Sequence, residues 1–350
     1  MVAGEEGHRA DAPHRLTVEL LESRLATLLG CSADEVGAAR DAAAVDWTSW
    51  VRRLFDDVAL EGMVMDPAWS GVELLTPYEE VAARPVWELQ RLEPALDAAM
   101  GDGAGAGELL DVVDTLMSDA ATRGVVGFKT VLAYRTGLDV DPTATVEEAQ
   151  RSLARTDLPA RDRGKALRDL VLRRALARCA DLRLPIQIHT GFGDNEIRPE
   201  LANPLLLDPL LRTPEGGAAA VVLLHGSWPW HDAAGYLAGV HRNVWAELSL
   251  VQLFAPATTA DRMLRLLEVA PTSRVLFGSD GHGIPESIWF GCRLLHEAWD
   301  AVRARLREQG ARESWLERVH GMVFGGNARA VYGLDPVRRD APHERRETDG

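Results

Sequence analysis

At 350 residues, 46% apolar and 26% charged, the chain has the composition of an ordinary globular protein and enough length for one large core, either a single α/β barrel or two smaller domains. A formal charge of −15 argues against a nucleic-acid surface, which needs clustered cations, and only two lysines, Lys129 and Lys165, accompany thirty-six arginines. No apolar run approaches the ~18 residues of a membrane span and no charged start leads into an apolar signal region, so neither a membrane nor a nucleic acid is an expected partner.

Residues 1–16 are polar, with Gly4, Gly7 and Pro13, and are expected to be disordered. From 17 to 57 apolar residues recur at helical spacing: Val18, Leu21, Leu25 and Leu28, then Trp47, Trp50, Val51 and Leu54 after a turn. Beyond that point short apolar runs alternate with helical stretches. Strands are predicted over 62–66 (GMVMD), 85–93 (PVWELQRLE), 125–134 (VVGFKTVLAY), 185–189 (PIQIH), 221–225 (VVLLH), 244–248 (VWAEL) and 275–280 (VLFGSD), with helices over 163–181, 233–241 and 258–270.

Strand alternating with helix is the pattern of a parallel sheet, and no GxGxxG opens a helix after the first strand. The expected fold is therefore an α/β, TIM-type (β/α)8 barrel over 17–335, with 17–57 as an N-terminal helical insertion. Seven strands are one short, and the expected place for the missing first strand is ahead of the N-terminal helices, where the chain begins. Residues 336–350 (PVRRDAPHERRETDG) have no apolar face and are expected to be a solvated tail. Cys31, Cys179 and Cys292 form no CxxC pair, which makes a reduced, cytoplasmic setting the default.

His189 and His225 close two consecutive predicted strands and Asp280 closes the last. Side chains at the C-terminal ends of barrel strands converge on one mouth, and neutral imidazoles with a carboxylate are what a divalent ion such as zinc takes. Taken singly, each histidine could be hydrogen-bonded structure and the aspartate a helix cap; the shared strand-end position favours a site. Lys129, inside an apolar strand, is either a catalytic group or metal ligand, or the cation of a structural pair with Glu93 or Asp66. Arg135 could clamp a substrate carboxylate. Trp228 and Trp230, followed by His231, either wall a substrate pocket or pack the barrel top. Glu247 is either a partner of a liganding histidine or an inward core residue. His282 and Glu286 could assist proton transfer, the alternative being plain solvent exposure.

In this order and spacing "GFKTVLAYRTGL", "IQIHTGFGD", "VVLLHGSWPW", "VWAELSL" and "VLFGSDGHGIPES" resemble the amidohydrolase superfamily, and most closely its amidohydrolase-related branch, which includes the domain fused to glutamine-synthetase-like enzymes. The likeness runs from about Val18 to Leu334. It implies a (β/α)8 barrel holding one or two divalent metals, commonly zinc, and hydrolysis of amide- or ester-like bonds, with decarboxylation as the variant in some branches. Carried over, His189 and His225 are the histidines of the fifth and sixth strands, and Asp280 is the eighth-strand aspartate that touches the metal and accepts a proton from its water. Lys129 falls where some relatives carry a carboxylated lysine. The departure is the first-strand His-x-His pair, which this chain lacks; His8 and His14 have the wrong spacing. Either a strand lies upstream or the metal site is weakened, which would leave a ligand- or partner-binding barrel. A small-molecule substrate and a possible homo-oligomer complete the expectation.

Overall fold

The computed structural model describes residues 11–67 and 74–334. Seven strands form one parallel sheet: β1 (Met63–Met65), β2 (Val86–Arg91), β3 (Gly127–Thr130), β4 (Ile186–Ile188), β5 (Val221–Leu223), β6 (Val244–Leu248) and β7 (Val275–Phe277). Each pairs with the next in chain order, and helix lies in every crossover. Sequential parallel strands joined through helices are the wall of a TIM-type barrel. The expected α/β barrel architecture is thus present in seven strands among the described residues.

The two faces of this wall follow from the alternation of side chains along each strand. Phe128, Ile186, Ile188, Val221, Leu223, Val244, Ala246 and Val275 face outward into the core between sheet and helices. Their inward neighbours Leu89, Val222 and Leu276 meet Tyr332, which comes from the helix Asn327–Tyr332 and closes the interior. Further along the same inward rows the chemistry changes. Val64 is followed by Asp66, Leu89 by Arg91, Gln187 by His189 and Trp245 by Glu247, while Arg91 and Lys129 are direct cross-strand partners. An apolar interior at one end of the strands and a charged mouth at the other is what positions the site.

A second core joins the N-terminal helices Leu16–Leu29, Val36–Ala43 and Trp47–Asp57 to the helix Pro285–Glu308. Leu54 and Phe55 are fully buried there, each worth roughly 1.5–3 kcal/mol. Polar anchors fix the contact: Trp50 Nε1 (2.8 Å) and Arg40 Nε (2.7 Å) donate to Glu286 Oε1, and Trp289 Nε1 donates to Asp57 Oδ2 at 2.8 Å.

Several boundaries differ from expectation. The predicted strand 125–134 ends at Thr130, because Glu93 Oε1 accepts the Val131 N–H at 2.8 Å and the chain then turns into the short helix Leu132–Arg135. Strand 85–93 ends at Arg91, and Glu93 opens the helix Glu93–Gly101. In the expected disordered start Ala12–His14 form a 3-10 turn and Leu16 begins the first α-helix; residues 1–10 of that start and the expected tail 336–350 lie outside the described residues. Cys31, Cys179 and Cys292 are unpaired, and no described helix is long and apolar enough to cross a membrane.

Candidate active site

The inward rows deliver Lys129 from β3, His189 one residue past β4 and Glu247 from β6 to the same mouth. His225 arrives differently. Alternation would send it outward, after Val221 and Leu223, but its φ is +66°, and Gly226 (+54°) and Ser227 (+50°) continue the left-handed turn. That reversal brings the ring inward, so that His225 Nε2 lies 3.0 Å from His189 Nδ1. Left-handed backbone costs non-glycine residues roughly 1–2 kcal/mol each. The turn is held by Thr190 Oγ1 against Ser227 Oγ (2.7 Å) and by His231 Nδ1, which donates to Gly226 O at 2.8 Å.

The proton arrangement follows from the partners. Phe192 O can only accept, so His189 Nε2 carries the proton it donates across 3.0 Å. The neutral ring then has its lone pair at Nδ1, which faces His225 Nε2 across 3.0 Å. His225 Nδ1 lies 2.9 Å from Ser249 Oγ. Ser249 Oγ donates to Glu247 Oε2 at 2.7 Å, which leaves its oxygen free to accept from the His225 ring. Burial pushes Glu247 up to about 7, against the opposing pull of Ser249 and the His225 N–H. Both histidines are held well below the ordinary imidazole range, chiefly by burial. The neighbouring His225 and then Lys129 add to the effect at His189, and Lys129 adds to it at His225.

Lys129 Nζ is 3.3 Å from Asp66 Oδ2, the oxygen that Arg91 grips through Nε (2.8 Å) and Nη2 (2.5 Å). Of the two partners expected for the lysine, Asp66 is therefore the one it meets. Glu93 turns away to Thr130 Oγ1 at 2.5 Å. Asp280, also left-handed at φ +51°, lies three residues past β7, close enough for its charge to raise the proton affinity of His189, Tyr134 and Glu247 as a lesser influence than burial. Gly278 precedes it on the inward row, where a Cβ would run into Glu247 Oε1.

Other expected site residues lie elsewhere or do other work. Arg135 is taken up by Asp97, with Nε 3.2 Å from Oδ2, and Arg168 shares that carboxylate. Trp228 packs edge-on against Phe192, their centroids 5.3 Å apart, and Phe192 meets Phe254 at 4.9 Å, forming an aromatic wall beside His189. His282 is exposed, with Nδ1 3.4 Å from Asp280 O. Glu286 corrects the expectation of solvent exposure: it is 2% exposed and bonded to Arg40 and Trp50, because the N-terminal helices cover it.

Two residues of the site escaped the sequence reading. Tyr134 lies against His189 with ring centroids 4.6 Å apart and planes tilted by 58°, and its hydroxyl accepts the Asp194 N–H at 3.2 Å. Burial pushes it up to about 12, so it stays a neutral O–H. Gly193 makes the room, since a Cβ there would collide with the Tyr134 hydroxyl. Ser249 had one usable signal, its spacing of two residues from Glu247 on an inward strand row.

In kind, two neutral imidazoles with a carboxylate nearby fit a divalent cation. In number they fall short, because no group of three or more His, Cys, Asp or Glu among the described residues is placed to hold a metal ion.

Comparison with known proteins places this geometry. The sequence profile described as Amidohydrolase matches residues 93–334. Protein fluG of Emericella nidulans is 33% identical over 337 residues, 84% of this chain and 38% of that protein, so the chain spans well under half the length of that relative. A Lactobacillus casei structure described as a metal-dependent hydrolase superposes with a TM-score of 0.82 and 25% identity, over 93% of this chain and 86% of the other. A uronate isomerase of Thermotoga maritima shares the fold, with a TM-score of 0.63 and 14% identity over 86% and 74% of the two chains.

Proposed function

The chain belongs to the amidohydrolase family, and from that membership we propose that it works as a metal-dependent hydrolase, cleaving an amide- or ester-like C–N or C–O bond of a small polar molecule. The observation that carries the reading is the pair of buried, neutral imidazoles, His189 and His225, 3.0 Å apart at the mouth with the Asp280 carboxylate in electrostatic reach. The likeness to the Lactobacillus casei protein supports a metal. His189, His225 and Asp280 would hold a divalent cation, zinc being the common partner of imidazole, and the bound ion would polarise a carbonyl and lower the pKa of a water to roughly 7.

The chain's own groups supply the rest. Asp280 takes the proton of the attacking water and returns it to the leaving group. His225, its ring held through Ser249, keeps a nitrogen aimed at the mouth. Arg135 is engaged by Asp97, and Lys129, paired with Asp66, acts on both histidines through its charge. Phe192 and Trp228 shield the reacting bond from bulk water. Cytoplasmic residence belongs to the same reading, as its three cysteines are free.

A second reading, a barrel that binds a ligand without turning it over, is favoured because no three His, Cys, Asp or Glu among the described residues are placed together to hold a metal ion. Metal content separates the two. The untagged chain, purified without chelators, is expected to carry near one equivalent of zinc by plasma mass spectrometry and to hydrolyse members of an amide and ester panel. A metal-free chain that shows no heat of zinc binding in titration calorimetry would overturn the hydrolase reading. A decarboxylase on the same site would show as carbon dioxide release from carboxylate substrates.

A further inference from the structure

At the mouth end of the β6–β7 ladder the backbone pairing is completed by a side chain. Gly278 N–H donates to Leu248 O at 3.1 Å, and in a continued parallel ladder the Leu250 N–H would take Gly278 O in turn. The chain has left the strand by then. Leu250 sits at φ +55°, ψ −61°, the centre of a γ-turn of the rare, strained kind, closed by Val251 N–H donating to Ser249 O at 2.5 Å. Its N–H reaches Ser279 O instead, at 3.4 Å. Gln252 takes its place at Gly278: from the short helix Val251–Phe254 its Nε2 donates to Gly278 O at 2.8 Å, with Ser279 O at 3.5 Å. Because a carbonyl only accepts, that contact fixes which end of the amide faces the strand. The side chain is fully buried, and its Oε1 has no partner among the described residues. An apolar side chain of similar size would bury there without an orphaned acceptor, so the amide donor is what distinguishes glutamine at this position.

We infer that Gln252 is the positioning residue of Asp280, its amide standing in for the next rung of the β6 ladder and holding the segment that presents the carboxylate. The inference rests on the proton-transfer role given to Asp280 under the proposed function. Asp280 follows directly on the two carbonyls that Gln252 and Leu250 hold, and at φ +51° its backbone alone would not favour staying. The other side of the segment is packed by the helix Pro285–Glu308, where a Cβ on Gly291 would lie 3.0 Å from the Ser279 Cβ. Asp280 is thus set by a clamp, with a side-chain hydrogen bond on the β6 side and a close helix contact on the other. Displacing a reacting group by about 1 Å can cost roughly 10²-fold in rate, so a hydrogen bond two residues away can be read in kcat.

The test uses the full chain. Gln252→Met keeps the approximate volume and removes the donor. Amide exchange, followed by NMR, is expected to quicken about tenfold at Gly278 and Gly281, whose N–H groups donate to Leu248 O and Ser279 Oγ, as the loss of one hydrogen bond would allow. Val113→Ala, in the core far from the mouth, serves as the control for general loss of stability and is expected to leave both amides as they are. On any substrate the panel identifies, kcat of Gln252→Met is expected to fall by about 10–100-fold with KM nearly unchanged, and to fall no further when the change is added to Asp280→Asn. Should Gln252→Met not fold, Gln252→Asn, which shortens the reach of the amide by one methylene, is read in its place with the same expectations. Exchange at Gly278 and Gly281 that does not change, or that quickens alike in Val113→Ala, overturns the proposal. So does an unchanged kcat, or a loss that adds in full to that of Asp280→Asn. A wild type that turns over nothing would count against the proposed function alone, since exchange still decides whether Gln252 holds the segment.

Discussion

His225 reaches His189 across 3.0 Å from Nε2 to Nδ1, although the strand that carries it would by alternation have pointed it away from the mouth. The left-handed backbone at His225 makes the meeting possible, and the two rings, tilted by 60°, become one buried neutral unit. Glu247 and Ser249 from the end of β6, Lys129 from β3 and Tyr134 from the helix after it all act on that unit.

Asp280 stands apart from this hydrogen-bonded chain and is assigned proton transfer. Asp280→Asn is expected to lower kcat by about 10²–10⁴-fold on any substrate the panel identifies, with little change in thermal stability. Steady-state kinetics beside a melting curve decide it. Unchanged turnover would remove Asp280 from the mechanism.

Lys129 lowers the proton affinity of both histidines through space. Lys129→Met is expected to move the midpoints of His189 and His225 upward, read from their ring proton shifts against pH. Arg91 still holds Asp66 in the variant, so the carboxylate is not left bare and the stability cost should stay at about 1–2 kcal/mol. Midpoints that stay where they are would mean that the ammonium is screened from the mouth.

Glu286 ties the N-terminal helices to the helix that follows the Asp280 loop. Glu286→Gln keeps the shape but removes the charge facing Arg40 and is expected to cost about 2 kcal/mol in chemical denaturation, more than a surface change allows. Arg40→Gln should cost at least as much, since it leaves the buried Glu286 carboxylate without its cation. Equal, negligible costs would show the contact to be incidental.

His231 supports the left-handed turn, and burial lowers it to about 4 from 6.5. Between those values the unfolded chain binds a proton that the folded chain does not. Its contribution is therefore fully present above pH 6.5 and is lost as pH falls toward 4, by up to about 3 kcal/mol at about 1.4 kcal/mol per unit. The stability gap between wild type and His231→Gln should narrow by that amount between pH 7 and pH 4 in urea titrations. A gap independent of pH would place His231 in contact with water.

The amino-acid sequence by itself determined where the strands and helices lie. Runs such as IQIH and VWAEL carry their own alternation, with outward Ile186, Ile188 and Ala246 and inward Gln187, His189 and Glu247, and burial of one face needs no knowledge of the partner. For the same reason His189, Glu247 and Lys129 could be placed at the mouth from their strand positions. Tertiary structure decided which groups meet. His225 faces inward only through a positive φ that no periodicity encodes, and Tyr134 reaches His189 only because β3 stops at Thr130 and turns. Arg135 pairs with Asp97, and Glu286 is buried by helices more than two hundred residues away in the chain. Pattern along a chain reports the burial of each residue separately; a hydrogen bond between remote segments depends on how the sheet curls and the helices close over it, and that is set by the whole fold.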